Sequence, residues 1–503
     1  MRKQKNKNAL LPIVTGLLFL VAITSVKAQE ALTLHKALAI AESQSPDLQQ
    51  SLLNLERFQK NLEAQRAALK SRFALEVAPV EYSNQRRFDT RVSEWYTNEN
   101  FNSNARFVVS QPILWTDGTI SLSNEFGWQS SNSTSSGFSE SEVFYNNLYL
   151  NLNQPLFTYN RLKLDLKVLE LNLENANISY AIQRLNLERN VTEFFYNVYM
   201  AQMNLTIAKE ELENTQKSYD IIANKVEAGL AAREELYQAE LNLATSKSSL
   251  QNSEVSFENA KDQLKLYLGM DLFKDFVILA DVTANPVPVN LETAINNGLN
   301  LRMELRQREI DIENSQFDLI QTKSLNEFRG DLNLRVGITG DDPDLENIFD
   351  NPTSSPSVAL SFNIPLFDWG EKKARIAAAE AQIQSQMLGL TNEQNQIIVD
   401  IRQVFRNIQN QLNQIEIAKQ NEINAQLTYE INLERYENGD LTGMDLNLFQ
   451  TQLSETKISY SQALINYKIE LLNLKIQSLY DFEKGEQILP SELYLTENEE
   501  KKK

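Results

Sequence analysis

The stretch LERNVTEFFYNVYMAQMNLTIAKEELENTQKSYDIIANKV, residues 187–226, decides the fold. Residues spaced alternately by four and three along it form one seam of a helix, as in a coiled coil. The seam residues are Leu187, Val191, Phe194, Val198, Ala201, Leu205, Ala208, Leu212, Thr215, Tyr219, Ile222 and Val226, and only Thr215 is polar. Because glycine and proline are absent from Arg161 to Ala228, we predict one helix of about 65 to 70 residues, on the order of 100 Å long. Such a helix needs partners of similar length to cover its seam.

The pattern returns 210 residues later, which indicates a tandem duplication. The segment QPLF at 154–157 corresponds to IPLF at 364–367, and EAG at 227–229 corresponds to ENG at 437–439. The second seam, at 397–436, has polar residues only at Gln411, Glu422 and Asn432. The copies begin with LxxA at 34–37 and at 291–294, an offset of 257 residues, so the first copy holds 47 extra residues before its PLF motif.

These matches divide the mature chain into four parts: a first repeat at 29–270, a connector at 271–287, a second repeat at 288–483 and a charged tail at 484–503. Each repeat is expected to open with a helix, at 32–71 and at 290–328. Each long helix then ends in a glycine tip, EAGL at 227–230 or ENGD at 437–440, because glycine suits the left-handed turn that closes a helix. A second heptad helix returns through about Tyr267 or Leu479. Alternating leucines at 162–166 leave the start of the first long helix open between helix and strand.

Other segments alternate with the period of two that is typical of strands. The alternation is clear at 120–126, 147–153, 331–339 and 357–364, and weaker at 73–82 and 105–109. A membrane β-barrel requires such apolar and polar faces, although soluble antiparallel sheets alternate as well. Residues 129–141 and 340–356 are expected to be exposed loops, and the 47 extra residues form either two further strands or a large surface hairpin. Candidate aromatic girdle residues are Trp95, Trp115, Trp128, Tyr145 and Tyr149.

The N-terminus indicates export. Residues 1–28 combine a basic start, an apolar stretch and small residues before Gln29, which predicts a signal peptide cleaved after Ala28. The alternative is a single anchoring transmembrane helix. Because the chain has no cysteine, we expect no lipid anchor, no disulfide and no thiolate metal site. No segment of the mature chain approaches a transmembrane helix, so insertion in a membrane would require a β-barrel.

The charge of the chain excludes one class of partner. The precursor has a net charge of −19, and removal of the five basic residues in 1–28 takes the mature chain to −24. Such a protein repels the phosphates of nucleic acid, and it suits an anionic membrane surface poorly.

Two repeats of helix, strands and long helical hairpin, the PLF motif before each long helix and the glycine tips together resemble the TolC family of outer-membrane efflux proteins, over nearly all of the mature chain. The resemblance implies a mixed α/β membrane protein. Three identical subunits would close one β-barrel in the lipid of the cell outer membrane, and their coiled-coil helices would continue as an α-barrel tunnel through the periplasm. It also implies a passive channel that works with a periplasmic adaptor protein and an inner-membrane pump or ABC exporter, in tripartite efflux or type I secretion.

The same resemblance suggests site residues at the tips. Glu235 and Asp445 each stand six residues after a tip glycine and match the acids of the family's periplasmic gate, and Tyr436 matches its gate tyrosine. The family's arginine and its second gate acid are replaced by Leu441 and Leu448, which places a latch through that arginine in doubt. The alternative for Glu235 and Asp445 is that they are ordinary first-turn acids, favoured by the helix dipole. The tip residues expected to contact the adaptor are Gly229, Leu230, Gly439 and Asp440.

Two other classes of function were weighed against the channel. An enzyme is disfavoured because the single histidine, His35, begins a helix and no nucleophile elbow, phosphate loop or HExxH motif is present. We accordingly expect no catalytic residue, metal or cofactor. A soluble periplasmic coiled-coil scaffold or tether is the alternative function, although it has no use for alternating strands. The residues do not indicate what is exported, whether drug, metal or protein.

Overall fold

The computed structural model describes residues 30–90, 93–134, 140–280, 282–283, 285–438 and 440–494. The predicted signal peptide, Gly439 and residues 495–503 lie outside these ranges. The chain folds as two compact units. Described residues within 1–46, 186–286 and 408–471 form the tip unit, and those within 47–185, 287–407 and 472–503 form the sheet unit.

Helices dominate both repeats, and the two longest have 67 residues each. In chain order the helices are α1 (Leu34–Gln44), α2 (Pro46–Ala68), α3 (Arg161–Glu227), α4 (Arg233–Leu268), α5 (Leu291–Leu301), α6 (Met303–Lys323), α7 (Glu371–Glu437), α8 (Gly443–Ser478) and the short α9 (Pro490–Leu493). Both ends of α7 lie 210 residues after those of α3, the offset of the sequence repeat. Since α3 begins at Arg161, the alternating leucines at 162–166 are helical. Among the described residues, no helix is both long and apolar enough to cross a membrane.

The predicted seams are confirmed. All twelve seam positions of α3 and all twelve equivalent positions of α7 are buried or half-buried. Two of the four polar seam residues, Thr215 and Asn432, are buried and hydrogen-bonded. Thr215 is buried and hydrogen-bonds to Ser246, with 3.1 Å between the hydroxyl oxygens, and the buried Asn432 amide donates to the Thr428 carbonyl at 2.8 Å.

The opening helix of each repeat is broken, which corrects the predicted single helices at 32–71 and 290–328. In the first repeat, Ser45 separates α1 from α2, and α2 begins with Pro46, which has no amide hydrogen to continue the helix. In the second repeat the break falls at Arg302, whose backbone is extended at φ −63° and ψ 124°. The opening helix of the second repeat is therefore broken without a proline.

An open antiparallel sheet fills much of the sheet unit. Its long strands are β2 (Arg72–Asp89), β3 (Glu94–Ile113), β4 (Gly118–Ser133), β5 (Ser141–Leu156) and β7 (Arg329–Asp342), and two shorter strands, β8 (Thr353–Ser354) and β9 (Ser357–Asn363), both pair with β7. The order is β2-β3-β4-β5-β7, so β2 and β9 are the two edges. Most of the 47 extra residues of the first repeat form β2 and β3, which pair with the sheet through β4.

The strands are longer than predicted. Strands β3 and β4 have 20 and 16 residues instead of about ten, since the ladder continues where polar residues replace the apolar pattern. The prediction of a loop at 129–141 was wrong in part, because β4 continues to Ser133 and β5 starts at Ser141. The loop at 340–356 likewise includes the end of β7, a 3₁₀ turn at Leu345–Asn347 and β8.

Two of the five girdle candidates lie on the other face of the sheet. Tyr145 is paired with Gly127, and its hydroxyl donates to the Asn102 side chain at 3.2 Å. The Tyr149 ring lies under the Arg335 guanidinium at 5.2 Å. Odd-numbered residues of β5 face away from Leu148 and Leu150, because side chains alternate along a strand, so these tyrosines belong to the polar face.

Short segments complete each unit. In the tip unit, the predicted connector is not wholly irregular: β6 (Phe276–Ile278) pairs in parallel with β1 (Glu30–Leu32). In the sheet unit, part of the predicted tail is ordered. The strand β10 (Tyr480–Asp481) pairs with β11 (Glu486–Gln487), and α9 follows. A core of that unit joins α3, α6 and the end of the second repeat through Leu171, Ile178, Ala181, Leu185, Met303, Ile310 and Leu479.

Candidate functional site at the hairpin tips

The first tip closes α3 with a left-handed glycine. Gly229 has φ +72°, a conformation that costs other L-residues about 1–2 kcal/mol. The Gly229 amide donates to the Val226 carbonyl at 3.0 Å, and the Leu230 amide donates to the Lys225 carbonyl at 2.8 Å, which is the Schellman arrangement. The Leu230 side chain is 79% exposed. The tip therefore presents an apolar side chain on a rigid turn.

The second tip shares one of these hydrogen bonds. The Asp440 amide donates to the Arg435 carbonyl at 2.9 Å, the equivalent of the bond made by Leu230. Asp440 is exposed. Gly439, the equivalent of Gly229, lies outside the described residues. The residue that follows the glycine is leucine in the first tip and aspartate in the second.

Asp445 lies in the first turn of α8 and is hydrogen-bonded to Thr442. The Thr442 hydroxyl donates to the Asp445 carboxylate at 2.6 Å, and the Asp445 amide donates to the Thr442 hydroxyl oxygen at 3.3 Å. This is a variant of the capping box, with the threonine at the N-cap and the acid three residues later. Asp445 is half-buried. The interaction supports a helix-start role, but a hydroxyl donor leaves the negative charge of the carboxylate in place.

Tyr436 is buried where α7 meets α3. Its side chain is 6% exposed, and the Lys225 ammonium lies 5.8 Å from the ring centroid. Burial raises the pKa of Tyr436, and the Ser218 side chain lowers it in part. The hydroxyl has no hydrogen bond of ordinary geometry within the described residues. A Cβ at Gly443 would be in ordinary contact with the tyrosine ring, at 3.7 Å, but would lie only 3.3 Å from the Ile222 side chain, which would have to shift slightly.

A cavity of about 420 Å³ separates the starts of α4 and α8 from α3. Glu234 and Glu235, in the first turn of α4, line it together with Ser218 and Thr442. Both glutamates are exposed. Asp445 does not line this cavity. Of the three predicted gate residues, Glu235, Tyr436 and Asp445, only Glu235 lines the cavity.

Several residues of the site were missed by the sequence analysis. Thr442 was detectable, because TGMD at 442–445 has the spacing of a capping box. Lys225, Ser218 and Glu234 carried no such signal, since their roles depend on which helix lies opposite.

The two leucines that replace gate residues of the family differ in exposure: Leu448 is 64% exposed, whereas Leu441 is half-buried. Within the part of the chain that is described, no group of three or more His, Cys, Asp or Glu residues is arranged to hold a metal.

Comparison with known proteins identifies related folds. Residues 119–270 and 327–476, more than half of the chain, match the model of a family described as outer membrane efflux protein. No curated protein sequence matches the chain. The fold is similar to the CmeC outer membrane channel of Campylobacter jejuni, at 16% identity and a TM-score of 0.68, with 91% of this chain and 88% of that chain covered.

Two other solved structures are similar to a comparable extent. The open state of the MtrE outer membrane channel of Neisseria gonorrhoeae has a TM-score of 0.64 at 15% identity and covers 89% of both chains. The outer membrane protein VceC of Vibrio cholerae has a TM-score of 0.62 at 14% identity, with 90% of this chain and 96% of that chain covered. At these identities the likeness establishes a shared fold.

Proposed function

Because the chain belongs to the outer membrane efflux protein family, we propose that it is the passive exit duct of a tripartite efflux or type I secretion system. The protein is an efflux channel of the outer membrane, and the resemblance to TolC-like channels is confirmed by the family match and by the fold. The finer proposal is that three copies close a β-barrel in the membrane, that their helices form a tunnel in the periplasm, and that a pump and an adaptor supply energy and cargo.

The observation that carries this proposal is the two-faced sheet. Across the four strands shared by the two repeats, Ile120, Leu152, Leu334 and Val358 are paired in one continuous row. The adjacent row on the other face consists of Ser121, Asn151, Arg335 and Ser357. Strands with one apolar face and one polar face are what a barrel needs to meet lipid outside and water inside.

The apolar face is exposed in the protomer. Leu150 is 47% exposed, and Val336 and Val358 are more so. Contiguous apolar surface of this kind is rare on soluble monomers and marks contact with lipid or protein. It favours the channel over the alternative, a soluble periplasmic scaffold, in which an uncovered apolar sheet would be a liability.

The sheet edges support assembly of several copies. Strands β2 and β9 have unpaired edges in the described chain, and exposed sheet edges are normally covered or paired. Closing β2 of one copy on β9 of the next leaves no edge. Each subunit contributes two similar helical hairpins, one from each repeat. A ring of three subunits therefore contains six such hairpins, which fits a symmetric tunnel.

The gate of this duct is proposed at the tips. Asp445 and Glu235 would supply negative charge at the narrow periplasmic end, and Tyr436 would hold the second hairpin against α3. Leu230 and Asp440, exposed at the ends of the two hairpins, would be contacts for the adaptor, together with Gly229 and Gly439.

The proposal is tested by membrane fractionation and planar-bilayer recording of the purified full chain. We expect the protein in the outer-membrane fraction, resistance to extraction by carbonate, heat-modifiable migration in detergent, and discrete single-channel currents in a bilayer. Recovery in the soluble periplasmic fraction without channel activity would favour the scaffold instead.

A further inference from the structure

We propose that the hairpin β2–β3, present only in the first repeat, is an added pair of membrane strands that widens the exit barrel. The inference rests on the proposed trimeric barrel. The second repeat, which lacks this hairpin, shows which strands the two repeats share. Strand β4 begins 211 residues before β7, and a PLF motif lies at the end of β5 and just after β9, so β4–β5 and β7–β9 are the duplicated hairpins. In the second repeat α6 leads directly to β7, whereas in the first repeat β2 and β3 stand between α2 and β4.

The apolar face continues without interruption across the added strands. Phe73 of β2 pairs with Val109 of β3, which pairs with Leu122 of β4, and the row continues through Leu150 to Val336. Phe73 and Leu75 are each 67% exposed. A hairpin that merely covered the surface would bury this face or make it polar.

The polar face continues in the same way. Glu76, Arg106 and Glu125 are paired across β2, β3 and β4. The Arg106 guanidinium lies 3.1 Å from the Glu125 carboxylate and 3.8 Å from that of Glu76. Asn147 and Thr339 extend the row across β5 and β7. In this row, the ionic groups of the added strands therefore lie on the face that would line the water-filled interior.

A row of aromatic residues also extends from the added strands to the duplicated strands. On the apolar face, Tyr82 of β2 pairs with Phe101 of β3, and the ring centroids are 4.7 Å apart. Trp128 of β4 pairs with Phe144 of β5 and lies opposite Ser103 of β3, two residues along from Phe101. Aromatic residues at one level on the lipid face form the girdle at a membrane surface. The added hairpin thus shares one membrane boundary with the duplicated strands.

The consequence is a wider passage. Each subunit contributes six strands, the five long ones and the shorter β9, so three subunits make an eighteen-stranded barrel, where the duplicated hairpins alone would make twelve. Barrel diameter grows roughly linearly with strand number, so the passage is about one and a half times wider, and barrels of 16–18 strands enclose an aqueous channel. The exit would accordingly admit polar cargo of larger cross-section, leaving the tips as the size-limiting point.

Lipid exposure is tested with single cysteines, for which the cysteine-free chain is a natural background. Leu75→Cys probes the added hairpin, Glu76→Cys its opposite face, and Leu150→Cys the duplicated strands. Each variant is labelled with a fluorescent maleimide and reconstituted in vesicles with or without nitroxide-labelled lipid. We expect several-fold quenching at positions 75 and 150 and little at 76. Quenching at 150 alone would overturn the added strands while leaving the channel intact, and quenching at neither would overturn both.

Barrel closure is tested with pairs of cysteines oxidised in the membrane. Phe73→Cys on β2 is combined in turn with Val358→Cys, Leu360→Cys and Phe362→Cys on β9, which covers the possible registers. We expect disulfide-linked dimers and trimers from at least one pair. The control series replaces Phe73→Cys by Leu122→Cys on β4. Cross-links to β4 and not to β2 would show that the duplicated strands close the barrel by themselves, and cross-links in neither series would also contradict closure at β2.

Discussion

Asp445 combines a structural contact with an uncompensated charge. Its carboxylate accepts the Thr442 hydroxyl at 2.6 Å, and a first-turn acid also gains about 0.3–1 kcal/mol from the helix dipole. Neither interaction neutralises the charge. A ring of such carboxylates in a constriction concentrates cations and repels anions. The helix-start role and the gate role are therefore compatible in one residue.

We predict that Asp445→Asn weakens the cation preference of the channel severalfold while changing thermal stability little, because the amide oxygen can still accept from Thr442. Reversal potentials in asymmetric salt, recorded in planar bilayers, measure the effect. Glu455→Gln, on an exposed position of the same helix, is the control for loss of one charge. Thr442→Val should do the converse, lowering stability by about 1 kcal/mol with selectivity kept. Unchanged selectivity in Asp445→Asn would leave Asp445 a capping residue only.

Tyr436 carries its buried hydroxyl close to α3. We predict that Tyr436→Phe raises the single-channel conductance, because the weak polar contact between its hydroxyl and the Ser218 side chain on the first hairpin is lost. Stability should change by less than about 0.5 kcal/mol, since the ring keeps its packing and the hydroxyl makes no hydrogen bond of ordinary geometry. Tyr429→Phe, one heptad earlier in the same seam, is the matched control. Equal conductance in the two variants would remove the Tyr436 hydroxyl from the gate.

The effect of burial on Glu211 can be tested through the pH dependence of stability. Desolvation raises the pKa of Glu211 above its usual value, so the folded state carries a cost for the charged carboxylate at neutral pH. This cost disappears as the pH falls through the raised pKa, because the folded protein then binds the proton more readily than the unfolded chain does. We predict that Glu211→Gln stabilises the protein by about 1 kcal/mol or less at pH 8, and that the gain vanishes near pH 4.

The thermal midpoint of Glu211→Gln, followed by circular dichroism from pH 4 to pH 8, measures that gain. Glu210→Gln is the control, since Glu210 is exposed on the same turn. A gain independent of pH would mean that Glu211 is not disfavoured by burial.

At the scale of elements, the same substitution should have opposite effects at two glycines. Gly229 closes α3 with φ +72°, whereas Gly389 lies inside α7 with open space around it. We predict that Gly229→Ala destabilises the tip by about 1–2 kcal/mol, and that Gly389→Ala stabilises its helix by up to about 1 kcal/mol. Hydrogen exchange of the tip amides and the thermal midpoint measure the two changes. A Gly229→Ala variant with unchanged exchange would contradict the rigid turn.

The strands are longer than the alternating sequence patterns that predicted them. Alternation of apolar and polar residues predicted segments of about ten residues, but β3 runs from Glu94 to Ile113. Residues such as Asn98, Asn100 and Asn102 pair with β4 through backbone bonds that require no apolar side chain. The ends of a strand depend on whether a neighbouring strand is present to pair with it. This information lies outside the strand's own sequence.

At the scale of the whole molecule, the proposed assembly makes a simple prediction. We expect the native mass of the detergent-solubilised protein to be three times that of the mature protomer, because a single subunit leaves both edges of its sheet unpaired. Native mass spectrometry or light scattering in mild detergent measures it. A stable monomer that retains full strand content would contradict the closed barrel, since six strands cannot enclose a water-filled interior.

The sequence by itself determined the helical part of this protein. The seam from Leu187 to Val226, repeated 210 residues later, requires long helices, because only a helix returns to one face every three or four residues. It also indicated the breaks at the tips, since Gly229 supplies a conformation that other residues resist. Family membership followed from the order of these parts.

The tertiary structure alone decided where the extra residues pair and what surrounds each site residue. Short-range patterns could not distinguish a surface hairpin from β2 and β3, because pairing depends on the neighbouring β4. They placed Tyr145 and Tyr149 in a lipid girdle, whereas the register of β5 sets both on the polar face. They named Tyr436 and Asp445 but not Lys225 or Ser218 beside Tyr436. Alternation and heptads are properties of one chain segment, whereas sheet order and packing partners arise only when distant segments meet.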